Sequence, residues 1–195
     1  MAERRLTFPT TEEEIRTLRA GDLVTVDGHI IGIRDRTQIR IFDQGVEPPM
    51  DLSSAFLLHT APGVRKREDG SGYDPVCIGT TTSARMVRFT EPLGRDHGVR
   101  AICGKGGLPD EAIEPMRRYG MVYFAIVGGA AALETTQIEE IEEVFWEELM
   151  PECLWKFRVK DFGPLWVGID SHGNSLFHDV QEAAKKKLED IYARL

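Results

Sequence analysis

Cysteine is scarce. Cys77, Cys103 and Cys153 are the three in a chain of 195 residues, and no CxxC pair is present. An odd, scattered trio excludes a disulfide framework and reads as reduced thiols. The histidines (His29, His59, His97, His172 and His178) do not sit beside the cysteines at the short spacings of a zinc site. Three thiols could still meet in space and hold a cluster; small buried or surface thiols are the plainer reading. Long apolar runs are missing too. Nothing approaches the ~18 residues of a membrane span. The opening MAERRLTFPTTEEEIRTL lacks the apolar middle of a signal peptide. A cytoplasmic chain with no membrane partner is expected. Positive charge is in deficit, with 24 Lys and Arg against 32 Asp and Glu. That excludes general nucleic-acid binding, which needs clustered cations to displace counterions. It leaves room for a local basic pocket that grips a small anion.

What is present fits one soluble domain over residues 1–195, since the apolar share of 42% and charged share of 29% are ordinary. Within an N-terminal extension of residues 1–20, threonines before a glutamate run predict a short capped helix, Thr11–Arg19, closed by Gly21. Val24 and Val26, then Ile31 and Ile33, alternate on either side of Asp27-Gly28 and predict a β-hairpin. RTQIRIFDQG reads as a helix ending at Gly45. SSAFLLHTAP reads as a strand, and GVRKREDGSGYDP as a surface loop. VCIG, VRAIC and MVYFAIVGG read as strands, the last buried on both faces. LPDEAIEPMRRYG reads as a helix. The stretch 130–149 stays open between helix and strand. LWKFRVKDF reads as a strand, and LWVGIDSHGNSLFHD as a strand, a Gly-Asn turn and a second short strand. Residues 180–195 predict a terminal helix with Val180, Ala184, Leu188 and Ile191 on one stripe. Strands alternating with helices give an α/β class with a mixed sheet.

Four stretches could carry chemistry. In CIGTTTSARM a strand ends at Gly79 and a helix is expected near Ser83. A helix N-terminus attracts anions, Thr81 and Thr82 add hydroxyls, and Arg85 adds a two-pronged carboxylate grip. The same stretch reads equally as a helix cap with an exposed arginine. It is not a Walker loop. CGKGG sets Lys105 between glycines after a strand, which is also how a flexible loop with a solvated lysine would look. IRDR puts Arg34 and Asp35 at a strand end, where a charge pair is usually only a solvated boundary. VGGAAAL, after a buried strand, most simply serves tight packing. Position unites the cationic stretches. Arg34, the Thr81–Arg85 segment and Lys105 each follow an expected strand, and ligands of open α/β sheets gather beyond the carboxyl ends of strands. The set suits a small di-anion. It contains no histidine or other evident general base, so it reads as half of an active site.

The order of these motifs resembles the β subunit, or C-terminal domain, of iron–sulfur class I fumarases and L-tartrate dehydratases. AGD, RD, GTTTSARM, GKGG, GGAAAL and LWVGIDSHGN carry the resemblance, from about Leu6 to His178. It implies a swivelling β/β/α-type domain. It implies a lyase active only with an α subunit that holds a [4Fe–4S] cluster, with fumarate hydration to L-malate as the first reading and L-tartrate dehydration as the alternative. It implies Thr81 as a proton-transfer residue, and Arg34, Arg85 and Lys105 as substrate-binding residues; Thr82 beside them reads as a helix cap or as a further substrate-binding residue that orients substrate. A hetero-oligomer of the α2β2 kind is implied as well. The chain departs from the family pattern at Thr80, where a proline is usual, and at Gln38, where a histidine is usual. A non-catalytic carboxylate-binding module is the competing class.

Overall fold

The computed structural model describes residues 2–192. Strand β1 (Glu3–Phe8) pairs in parallel with β2 (Leu23–Ile33). Between them helix α1 (Glu12–Arg16) starts at Thr11, whose hydroxyl accepts from the Glu14 amide in a capping box, as the threonine-then-glutamate pattern predicts. Beyond β2 come β3 (Phe56–His59), β6 (Ala101–Gly104) and β7 (Val122–Ala125), all mutually parallel. The 16-residue strand β9 (Leu154–Ile169) runs antiparallel to β2 along one edge. Its other edge is shared by β7 and by β8 (Ile138–Phe145). The seven strands follow the order β1-β2-β3-β6-β7-β9-β8, and the β2–β9 pairing closes the ladder on itself.

Both faces of β3, β6 and β7 are covered. On one face Phe56, Leu58, Cys103 and Phe124 pack against Phe8 of β1, Val26 of β2 and Trp155, Phe157 and Phe162 of β9. On the other, Leu57, Ile102 and Tyr123 pack against the helices: Ile41 of α2 (Asp35–Phe42), Leu93 of α3 (Thr90–His97) and Met116 of α4 (Ile113–Tyr119). Alternate residues of one strand thus feed two cores, the consequence of a two-residue side-chain period. The two walls of the closed ladder act as two sheets face to face, and the helices add a third layer, the β/β/α arrangement expected. Among the described residues no helix is long and apolar enough to cross a membrane.

Three local expectations are corrected. Asp27-Gly28 is not a turn; β2 runs straight through it. Gly28 has φ +95°, and a Cβ there would lie 2.2 Å from the Phe8 carbonyl oxygen. The glycine serves the close approach of β1 rather than a reversal of the chain. The polar stretch after Pro62 is not all loop, because β4 (Gly63–Lys66) and β5 (Tyr73–Cys77) form an antiparallel hairpin. After the turn at Gly173-Asn174 the expected second strand shrinks, among the described residues, to a single antiparallel bridge from Ser175 to Ile169. Asp170 caps that turn through the Asn174 side chain at 2.8 Å, and helix α5 (Leu176–Tyr192) begins at once. The expected stripe on α5 faces solvent at Val180, Leu188 and Ile191; residues 193–195 lie outside the described range. The open stretch resolves into a 3-10 segment, Gly129–Gln137, followed by β8.

Candidate active site

Four parallel strands end on one edge, at Ile33, His59, Gly104 and Ala125. The segment after β5 crosses that edge as extended chain. The Ala61 amide donates to the Gly79 carbonyl at 3.2 Å and the Thr81 amide to the His59 carbonyl at 2.8 Å. The Lys105 amide donates to the Thr81 carbonyl at 3.1 Å, and the Ser83 amide to the Lys105 carbonyl at 3.1 Å. Gly79 admits this crossing. Its φ is +59°, and a Cβ would stand 2.2 Å from the Ala61 carbonyl oxygen.

This geometry corrects the expected anion site at a helix start. Ser83–Phe89 is a 3-10 turn that leads into α3. The Thr81 and Ser83 amides are already spent on neighbouring strand ends, and the Thr82 side chain does not cap the turn. The positive charge available to an anion here is carried by side chains, those of Arg34, Arg85 and Lys105.

The side chains fall into two groups. Arg34 is the N-cap of α2, fixed by Thr37, whose hydroxyl accepts from the Arg34 amide at 2.8 Å and donates to its carbonyl at 2.8 Å. From there Arg34 Nε donates to Asp35 at 3.2 Å. Arg85 reaches the same carboxylate across 50 residues, with Nη2 donating at 2.9 Å and Nε at 3.4 Å. Burial opposes ionisation of Asp35, but the hydrogen bonds from Arg85 and Arg34 outweigh it and hold the carboxyl below its ordinary value. Lys105 lies in register with Thr82. With Thr80, Gly79, Gly128 and Ile78 it lines a cavity of about 210 Å³, below the ~300–1,000 Å³ of drug-sized clefts. Thr81 is largely buried. Along extended chain it shares the side of Ser83, while Thr80 and Thr82 face the other.

One residue of this site escaped the sequence reading. His59, the last residue of β3, is buried against Ser83 and within range of the charges of Asp35 and Arg85. A histidine does lie beside the group after all. Its signal was a lone ionisable residue closing the apolar run FLLH. Gln38, at the position where the family pattern has histidine, is fully buried and its Nε2 donates to Met86 Sδ at 2.9 Å.

The cysteines do not fit a metal cluster. Cys103 and Cys153 lie in the core between the two sheets, and Cys77 is exposed on β5. One exposed thiol on β5 and two thiols packed in the core do not form a shared open site for a cluster. Among the described residues no group of three His, Cys, Asp or Glu side chains could hold a metal ion.

Comparison with known proteins shows the family. The family model described as "Fumarase C-terminus" matches residues 2–180. The chain is 39% identical over 187 residues to the L(+)-tartrate dehydratase subunit beta of Escherichia coli strain K12, covering 95% of this chain and 92% of that one. A Methanocaldococcus jannaschii protein provisionally given the same name is 36% identical over 186 residues, covering 93% and 94%. A Geobacillus stearothermophilus protein provisionally named a class I fumarate hydratase is 37% identical over 194 residues, covering 97% of this chain but 37% of that longer one.

Proposed function

Since the chain belongs to the fumarase C-terminus family, we propose that it is the β subunit of a two-chain hydro-lyase that adds water to, or removes it from, a four-carbon dicarboxylate. The observation that carries this reading is the meeting of Arg34 and Arg85 on Asp35 beyond the carboxyl ends of parallel strands, one of which Lys105 follows. Asp35 stands in for a substrate carboxylate. The Asp35 side chain keeps 30% of its surface open to solvent, which lets an arriving carboxylate compete with it for the two arginines. Arg34 and Arg85 bind one carboxylate end. Lys105, with Thr82, binds the other and stabilises the negative charge that develops when the neighbouring C–H proton leaves. Thr81 Oγ1 takes and returns that proton, helped by the cationic surroundings.

The [4Fe–4S] cluster of such an enzyme belongs to the α subunit, because this chain's thiols do not fit one. The assembly is of the α2β2 kind. Fumarate with L-malate is one substrate reading, supported by the Geobacillus relative. L-tartrate is the other, supported by the relatives of matching length. Co-purification with the α subunit, followed by anaerobic assays on fumarate and on L-tartrate, tests the proposal. Hydro-lyase turnover of either substrate by the pair, and by neither chain alone, is expected.

A further inference from the structure

Beneath the crossing segment runs a buried polar chain that the proton-transfer scheme does not use. His59 is 2% exposed, and Ser83 and Tyr123 are fully buried. His59 Nδ1 lies 2.9 Å from Ser83 Oγ. Ser83 Oγ lies 3.0 Å from Tyr123 Oη, which lies 2.6 Å from the Gly104 carbonyl oxygen.

Counting protons fixes the direction of this chain. A carbonyl oxygen only accepts, so Tyr123 gives its one hydroxyl proton to Gly104. The Ser83–Tyr123 contact then takes the single proton of Ser83. None is left for His59, so His59 Nδ1 carries a proton and donates it to Ser83 Oγ. The opposite tautomer would leave two buried hydroxyl oxygens facing each other at 3.0 Å with no proton between them. His59 is therefore neutral with Nδ1 protonated and a bare lone pair at Nε2, an atom with no partner among the described residues. Burial favours the neutral ring and pushes its pKa down to about 3, with Asp35 on α2 opposing and Arg85 reinforcing the shift.

His59 thus holds the crossing segment twice, by its carbonyl on the Thr81 amide and by its ring on Ser83. Ser83 lies two residues after Thr81 and two before Arg85. We propose that His59 is a positioning residue of the half-site, its Nδ1–H fixing Ser83 and, through it, the placement of Thr81 and Arg85. The kinetic part of this proposal rests on the hydro-lyase reading; the spectroscopic part does not.

Long-range proton–nitrogen NMR of the isolated chain, labelled at histidine nitrogen, reads the tautomer directly. The expected His59 pattern is a protonated Nδ1 and a bare Nε2, unchanged from pH 5 to 8. A protonated Nε2, or a titration midpoint inside that range, overturns the proposal. The same labelled chain reports positioning through the Thr81 and Arg85 amide resonances. They are expected to shift in Ser83→Ala and His59→Phe, and to return towards wild type in His59→Asn, whose amide N–H replaces Nδ1–H. In the assembled enzyme, His59→Phe and Ser83→Ala are each expected to lower kcat/KM at least tenfold, and His59→Asn to recover at least fivefold of the loss. If His59→Phe does not fold, Ser83→Ala, which deletes one oxygen, carries the test. Unmoved amides, or full activity in Ser83→Ala, refute the proposal. A wild-type pair inactive on both substrates refutes the hydro-lyase reading alone, and the amide shifts still decide the role of His59.

Discussion

Arg34 and Arg85 donate to one carboxylate, that of Asp35, at 3.2 and 2.9 Å. Asp35 thereby occupies two cationic groups that would otherwise be open to an incoming carboxylate. If Asp35 holds the place of a substrate carboxylate, it competes with substrate. Asp35→Asn in the assembled enzyme should leave KM unchanged or lower it, by no more than about fivefold, the equivalent of ~1 kcal/mol. Steady-state kinetics check this. A KM raised tenfold would mean that the aspartate orients the arginines rather than standing in for a ligand.

The buried neutral His59 makes stability depend on pH. Its folded pKa of about 3 lies below the ordinary ~6.5. Between those values the unfolded chain binds a proton that the native chain refuses, so stability rises with pH through that window and falls on acidification. Urea unfolding from pH 7 to pH 4 should show wild type losing stability relative to His59→Asn. Parallel curves for the two proteins would contradict a buried neutral ring.

Gly28 and Gly70 both have positive φ, but they differ in what surrounds them. A Cβ on Gly28 meets the Phe8 carbonyl at 2.2 Å, whereas one on Gly70 meets nothing within 4 Å. Gly70→Ala should therefore cost only the left-handed penalty of roughly 1–2 kcal/mol. Gly28→Ala should add an overpacking term of about 1–3 kcal/mol. Chemical denaturation of the two variants measures the difference, and equal losses would mean that β1 yields to the new methyl.

Thiol accessibility gives an independent check on the layers. Cys77 is exposed, while Cys103 and Cys153 sit in the core between the sheets. In the folded chain one thiol should react with an aromatic disulfide reagent within minutes, and all three after unfolding. Cys77→Ser should abolish the fast phase. Two fast thiols would contradict the packing of β6 or of the start of β9.

The sequence disclosed this site unevenly, for physical reasons. The placement of Thr81, Arg85 and Lys105 beyond strand ends was legible, because the apolar run of each strand is local information. The bond from Arg85 to Asp35 was not, since it joins residues 50 apart and exists only once α2 packs over the sheet. His59 was missed because FLLH reads as a plain apolar strand, and only the fold brings Ser83 and Tyr123 to its ring. Asp27-Gly28 was read as a turn because a glycine that reverses a chain and one that admits a neighbouring strand look alike locally. Phe8, 20 residues away, decides between them. LFHD is apolar enough for a strand, and only the Asp170 cap on the preceding turn makes it the start of α5. The three-layer order came instead from the resemblance of the whole motif series, and the two alternating cores bear it out.

The most direct measurement is anaerobic turnover of the co-purified α and β chains on fumarate and on L-tartrate, comparing wild type with Thr81→Ala and Arg85→Ala. Losing a hydrogen bond to a charged group costs about 1.5–3 kcal/mol, so Arg85→Ala should lower kcat/KM on the order of 10- to 100-fold. Thr81→Ala should lower kcat at least tenfold with the assembly intact. Turnover within threefold of wild type in both variants would contradict the assignment of this edge as the half-site.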